Sequence, residues 1–167
     1  MMRFVAIAAL IAAPATADED TGYDAGLLTA CLAEADGAAG IRACIGVGAA
    51  QCIGQPGGKT TAGMGACLSH ELGQWEDDMA AWLAVIASDI EAADAGIKAL
   101  DRADPALPAF EASQADWLAF RQSTCELVQA GYYGGTGAGP DGLRCWLELT
   151  AERVIWLETR FGSGGRD

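Results

Sequence analysis

The chain has 167 residues, with 23 acidic against 10 basic side chains, one histidine and six cysteines. A formal charge of −13 argues against nucleic acid or an anionic membrane surface as partner, and fits either a cationic partner or plain solubility. The length suits one domain with its own core. The first residues are Met1-Met2-Arg3, an apolar run from Phe4 to Ala13, then Ala15-Thr16-Ala17. This is the layout of a secretory signal, residues 1–17, cut after Ala17. The run is too short for a bilayer, which needs about 20 apolar residues. No later segment is long and uncharged enough to span, and no cysteine stands at the cleavage site to carry a lipid. Loss of Arg3 leaves nine bases against 23 acids, a charge of −14. The chain reads as periplasmic or secreted.

In an exported chain an even number of cysteines reads as a disulfide framework. Cys31, Cys44, Cys52, Cys67, Cys125 and Cys145 include no Cys-x-x-Cys pair, and His70 is the lone histidine, so a metal site is not indicated. Residues 18–51 form a short helical N-terminal extension. Leu27, Leu28, Cys31, Leu32 and Ala35 suggest one short helix ended by Asp36-Gly37; Ile41, Cys44, Ile45 and Val47 suggest a second, weakened by Gly46 and Gly48. A Cys31–Cys44 bridge would close this pair. Gly54 to Lys59 is a loop. Gly-Gly-Lys-Thr-Thr there lacks the glycine spacing of a phosphate-binding loop and follows no strand, so Thr60 or Thr61 is read as a helix cap.

From about Ala62 to Leu100 one long helix is predicted. Leu72, Trp75, Met79, Trp82, Leu83, Ile86, Ile90, Ala93, Ile97 and Leu100 step by three and four. Asp77 and Asp78 are adjacent, point apart on a helix, and read as solvated rather than as an acid/base pair. Asp104 as N-cap with Pro105 at the first helical position starts a second helix that runs to about Ala130. Its apolar stripe is Trp117, Phe120, Thr124, Leu127 and Val128. Gly131 to Gly142 reads as a loop. A third helix, capped by Asp141, carries Leu143, Trp146, Leu147, Thr150, Val154 and Leu157 to about Phe161; residues 162–167 are a flexible tail. No alternating strand pattern occurs. The fold class is all-α: an antiparallel bundle of three main helices over residues 52–161 with the short helical extension, stapled by disulfides. In that topology Cys67, Cys125 and Cys145 share one end and Cys52 can reach it. Cys125–Cys145 with Cys52–Cys67 and the crossed Cys67–Cys125 with Cys52–Cys145 both satisfy it.

Trp117-x-x-Phe120-Arg121-x-x-x-Cys125, the Gly134-Gly135-Thr136 loop and Cys145-x-x-x-Leu149-Thr150-x-x-Arg153 together resemble the LprI-like lysozyme-inhibitor domain. Cys67 to Glu76, with Trp75, resembles that family's first-helix signature. The resemblance covers roughly Cys52 to Arg160. It departs where the family continues Asp-x-x-Leu-Asn and this chain has Glu76, Met79 and Ala80. It implies a helical domain that inhibits lysozyme, a strongly cationic enzyme, and gives Trp75, Trp117, Arg121, Thr150 and Arg153 as motif positions.

Nucleophilic catalysis needs a base beside Ser, Thr or Cys, and a single His70 in no matching motif does not supply one. Arg121 and Arg153 can each bind an anion or pair with a carboxylate such as Asp116 or Glu152. The chain therefore reads as a non-enzyme without cofactor. One reading is a binding protein for lysozyme or another cationic envelope protein. It meets that partner through Tyr132, Tyr133, Gly134, Gly135 and Thr136, where two tyrosines sit on a cross-linked, glycine-rich tip. The other is a structural or envelope-maintenance protein without lysozyme activity, its loop a turn in which one tyrosine folds back to cap a helix end. Oligomeric state is not legible.

Overall fold

The computed structural model describes residues 22–99 and 104–162, so residues 1–17, read above as a signal sequence, and residues 163–167 of the expected tail lie outside the described residues. Among them are six α-helices and no strand: α1 (Ala25–Glu34), α2 (Gly37–Ala43), α3 (Val47–Ile53), α4 (Thr61–Ala99), α5 (Leu107–Ala130) and α6 (Ala138–Phe161). The long helices α4, α5 and α6 form the antiparallel bundle, and α1 to α3 form the extension. α4 starts where the sequence places it. The Thr60 hydroxyl accepts the Gly63 N–H at 2.9 Å and donates to the Gly57 carbonyl at 2.8 Å.

α6 lies at the centre and packs on both α4 and α5, which touch each other far less. Leu147, Thr150, Ala151, Val154 and Leu157 of α6 are buried against Leu68, Leu72, Trp75, Met79 and Ile86 of α4. Each such large apolar side chain stabilises the fold by roughly 1.5–3 kcal/mol relative to exposure. The extension closes over the same core: Leu28, Cys44 and Ala49 belong to it. Arg42 of α2 also reaches Glu152 of α6 in a two-bonded ion pair, at 2.5 and 2.7 Å. The disulfides are local: Cys31–Cys44, Cys52–Cys67 and Cys125–Cys145. The crossed arrangement is not the one adopted.

Four expectations need correction. The second short helix is two, α2 and α3, because Gly46 takes φ +87° and turns the chain between them. α5 begins at Leu107, not Pro105, and Asp104 is not its cap. The cap comes from α4, whose Asp94 carboxylate accepts the Ala106 and Leu107 N–H groups, both at 2.8 Å. α6 begins at Ala138, so Ala138 to Gly142 are helical and Asp141 lies within the first turn. Pro140 fits there because an N–H in that turn has no helical partner. Gly142 lets the Gln129 side chain lie against α6, since a Cβ there would stand 2.1 Å from Gln129 Nε2. Finally, the inward side of α5 is Phe110, Gln114, Trp117, Arg121, Cys125 and Val128, while Phe120 and Leu127 face solvent. Gln114 and Arg121 can occupy inward positions because their polar groups find partners there.

Candidate functional site

Gln114, Trp117 and Arg121 step along α5 at intervals of three and four, so they share one face. The Trp117 ring has two guanidiniums against it, Arg121 at 5.2 Å and Arg153 at 5.6 Å from the centroid. Arg153 also lies 4.6 Å from the Trp156 ring. Arg121 Nη1 donates to Glu76 Oε1 of α4 at 2.9 Å and to Thr150 Oγ1 of α6 at 2.7 Å. Arg153 donates through Nε and Nη2 to Gln114 Oε1 at 3.2 and 3.0 Å. Burial lowers the affinity of the Arg153 guanidinium for its proton. Arg121 thus takes Glu76, not Asp116 or Glu152, and Arg153 takes an amide. Glu152 belongs to Arg42, whose hydrogen bonds hold its carboxyl below the usual range. The motif residues Trp117, Arg121, Thr150 and Arg153 form one polar–aromatic clamp that locks α4, α5 and α6.

Trp75 is fully buried, and its indole N–H donates to Glu71 Oε1 at 3.3 Å. Glu71 is itself wholly buried and accepts the N–H groups of Gly46 at 2.5 Å and Ala49 at 2.7 Å. Its carboxylate therefore caps α3 from inside the fold. Tyr23 lies beside it. The phenol donates to Gln74 Oε1 and its ring stacks on His70 at 5.2 Å. Gly48 leaves the room, since a Cβ there would meet the Tyr23 oxygen at 2.8 Å. Burial, then the Glu71 and Asp24 carboxylates, push the Tyr23 pKa up to about 12. Glu71, Glu76, Gln114 and Asp94 are the residues that reading the sequence missed. Glu71 had a signal: it stands one turn before Trp75, where a solvated carboxylate has no place.

The loop above the Cys125–Cys145 bridge spans 131–137. Its N–H groups bond backward in successive turns: Tyr132 to Gln129, Tyr133 to Ala130, Gly135 to Tyr132 and Ala138 to Gly135, at 2.8–3.1 Å. Tyr132 folds back. Its hydroxyl donates to Asp141 Oδ2 at 3.0 Å, a bond that raises its pKa, and its ring covers Gly137, where a Cβ would come within 2.5 Å. Tyr133 does the opposite: at φ +49°, followed by Gly134 at φ +84°, it is 97 % exposed. Gly134, Gly135 and Thr136 flank it, all exposed. The loop is thus a short, cross-linked platform with one ring held out into solvent.

Asp77 and Asp78 do not converge with further ligands, and among the described residues no group of three His, Cys, Asp or Glu is placed to hold a metal ion. No described helix is long and apolar enough to cross a membrane. These features define a small, disulfide-stapled, all-helical protein with an exposed loop between bridged helices. Residues 52–157 match the family model described as lysozyme inhibitor LprI. The chain belongs to the LprI lysozyme-inhibitor family. No curated protein and no solved structure matches it.

Proposed function

We propose that the protein is an exported lysozyme-inhibitor-like binding protein without enzymatic activity, cut after Ala17, whose acidic surface engages a cationic protein such as lysozyme. The observation that carries this is the family membership over residues 52–157. The charge of −14 left after that cut, nine bases against 23 acids, supports it, because an acidic surface accelerates encounter with a strongly cationic enzyme. The loop Tyr132–Thr136 is proposed as a contact element, with Tyr133 as the residue that enters the partner and Tyr132 as its support. Tyrosine supplies large contact area at low entropic cost.

The test is a lysozyme activity assay on suspended bacterial cell walls with increasing amounts of the purified protein, repeated at low and high salt. Inhibition that weakens as salt rises is expected. A Tyr133→Ala variant, which touches no buried group, should keep the melting temperature and weaken inhibition about tenfold or more, the size of an interface hot spot. No inhibition by the unaltered protein at any salt would reject the reading and favour a structural role in the envelope.

A further inference from the structure

The corrected face of α5 leaves an apolar surface without a partner. Phe120 is 54 % and Leu127 73 % exposed. They are seven residues apart, so they lie on one side of the helix. Phe120 stands one turn from Trp117, whose ring flanks the same Arg153 guanidinium as Trp156, itself 46 % exposed. Past the helix end stands Tyr133. Among the described residues, α5 packs only on α6 and α4, and no part of the extension covers it.

The exposed charges of α5 itself have one sign, while the base nearest the loop is Arg144 of α6, within electrostatic reach of Tyr132. α5 carries Glu111, Asp116 and Glu126, all exposed, and its only base is Arg121. That base turns inward to Glu76 and Thr150. Arg153 is likewise buried. An exposed apolar stripe on a helix whose exposed charges are all carboxylates, its own base turned inward, matches a surface that presents Lys or Arg around apolar groups. It disfavours a second copy of itself, which would set carboxylates against carboxylates.

We infer that the outer face of α5, from Phe120 to Leu127, continues the loop into one docking surface for a cationic, partly apolar protein surface. This rests on the proposed function and extends it from a loop tip to a helix face. Phe120 and Leu127 supply the buried centre, and Asp116 and Glu126 the charged rim.

The experiment measures binding of two probes by titration calorimetry: lysozyme, and a synthetic Lys/Leu amphipathic helical peptide that carries the stated chemistry in minimal form. Phe120→Ser/Leu127→Ser is compared with Val85→Ser, an equally exposed apolar site on α4. The expected result is a loss of tenfold or more for the α5 variant and none for Val85→Ser, with circular dichroism and melting temperature unchanged in both. Asp116→Lys/Glu126→Lys, which removes no packing, should weaken binding and flatten its salt dependence. If the unaltered protein binds lysozyme and the α5 variants bind equally well, the inference is overturned and the proposed function stands. If it binds the peptide but not lysozyme, and only the α5 variants lose the peptide, the function falls and the surface stands. Binding of neither probe overturns the inference. So does a dimer in sedimentation that Phe120→Ser/Leu127→Ser dissolves, since the occupant would then be a second copy.

Discussion

At the scale of single residues, buried polar groups connect the pieces of this fold. Glu71 is the plainest case. A carboxylate wholly out of water is tolerable only with its lone pairs used, and the Gly46, Ala49 and Trp75 N–H groups use them. Tyr23 sits against this group and bears its charge. A phenolate beside Glu71 and Asp24 in a partly buried site is disfavoured, so the folded chain holds the Tyr23 proton more tightly than the unfolded chain does. The contribution to stability is intact below the ordinary tyrosine value of about 10 and is lost as pH rises towards about 12. Stability should therefore fall between those two pH values, and the fall should be shallower in Tyr23→Phe. Urea midpoints measured across that range check it. Parallel slopes in the two proteins would place Tyr23 in water. Phenolate absorbance in the folded protein gives a second reading, in which Tyr23→Phe removes a component that titrates near 12.

At the scale of elements, helices borrow their ends from one another. α5 takes its cap from Asp94 on α4, twelve and thirteen residues before the Ala106 and Leu107 N–H groups it accepts. Asp94→Ala should therefore cost about 0.5–2 kcal/mol, the usual effect of losing an N-cap. Asp104→Ala should stay within about 0.5 kcal/mol, as an exposed position without such a bond. Chemical denaturation of both variants decides it, and a larger effect at Asp104 would restore the local cap. The contrast shows what the sequence could carry. The long helices and the α4 and α6 stripes were legible because Leu72, Trp75, Met79, Ile86 and Leu147, Val154, Leu157 repeat at helical spacing over many turns. The seam of α5 was legible only in part: Trp117 and Val128 of the stripe do face inward, but the inward placing of Gln114 and Arg121 beside them was missed, because polarity there hides burial. Phe120 and Leu127 looked internal for the converse reason, and of the loop tyrosines the sequence could not say that Tyr132 folds in while Tyr133 stands out.

At the scale of the whole molecule, the extension and the bundle share one hydrophobic core. Leu28 of α1 is 1 % exposed, and Cys44 and Ala49 join it against Leu68 and Trp75. Glu71 caps α3 from α4, Arg42 grips Glu152 from α2, and Cys52–Cys67 ties α3 to α4. An element bound this way cannot unfold without uncovering the bundle, so one cooperative transition is expected. The five tryptophans make this measurable, because Trp75, Trp82, Trp117, Trp146 and Trp156 all lie in α4 to α6 and none in the extension. Their fluorescence reports the state of α4 to α6, with Trp75 also sensing the extension packed on it. Leu28→Ala leaves a cavity in the shared core and should cost about 2–5 kcal/mol. If the core is one unit, that loss appears in full as a lower urea midpoint of the tryptophan transition, coincident with the transition seen by circular dichroism. If the extension were a separate unit, the tryptophan midpoint would stay where it is in the unaltered protein, and only a small early loss of helicity would mark the variant.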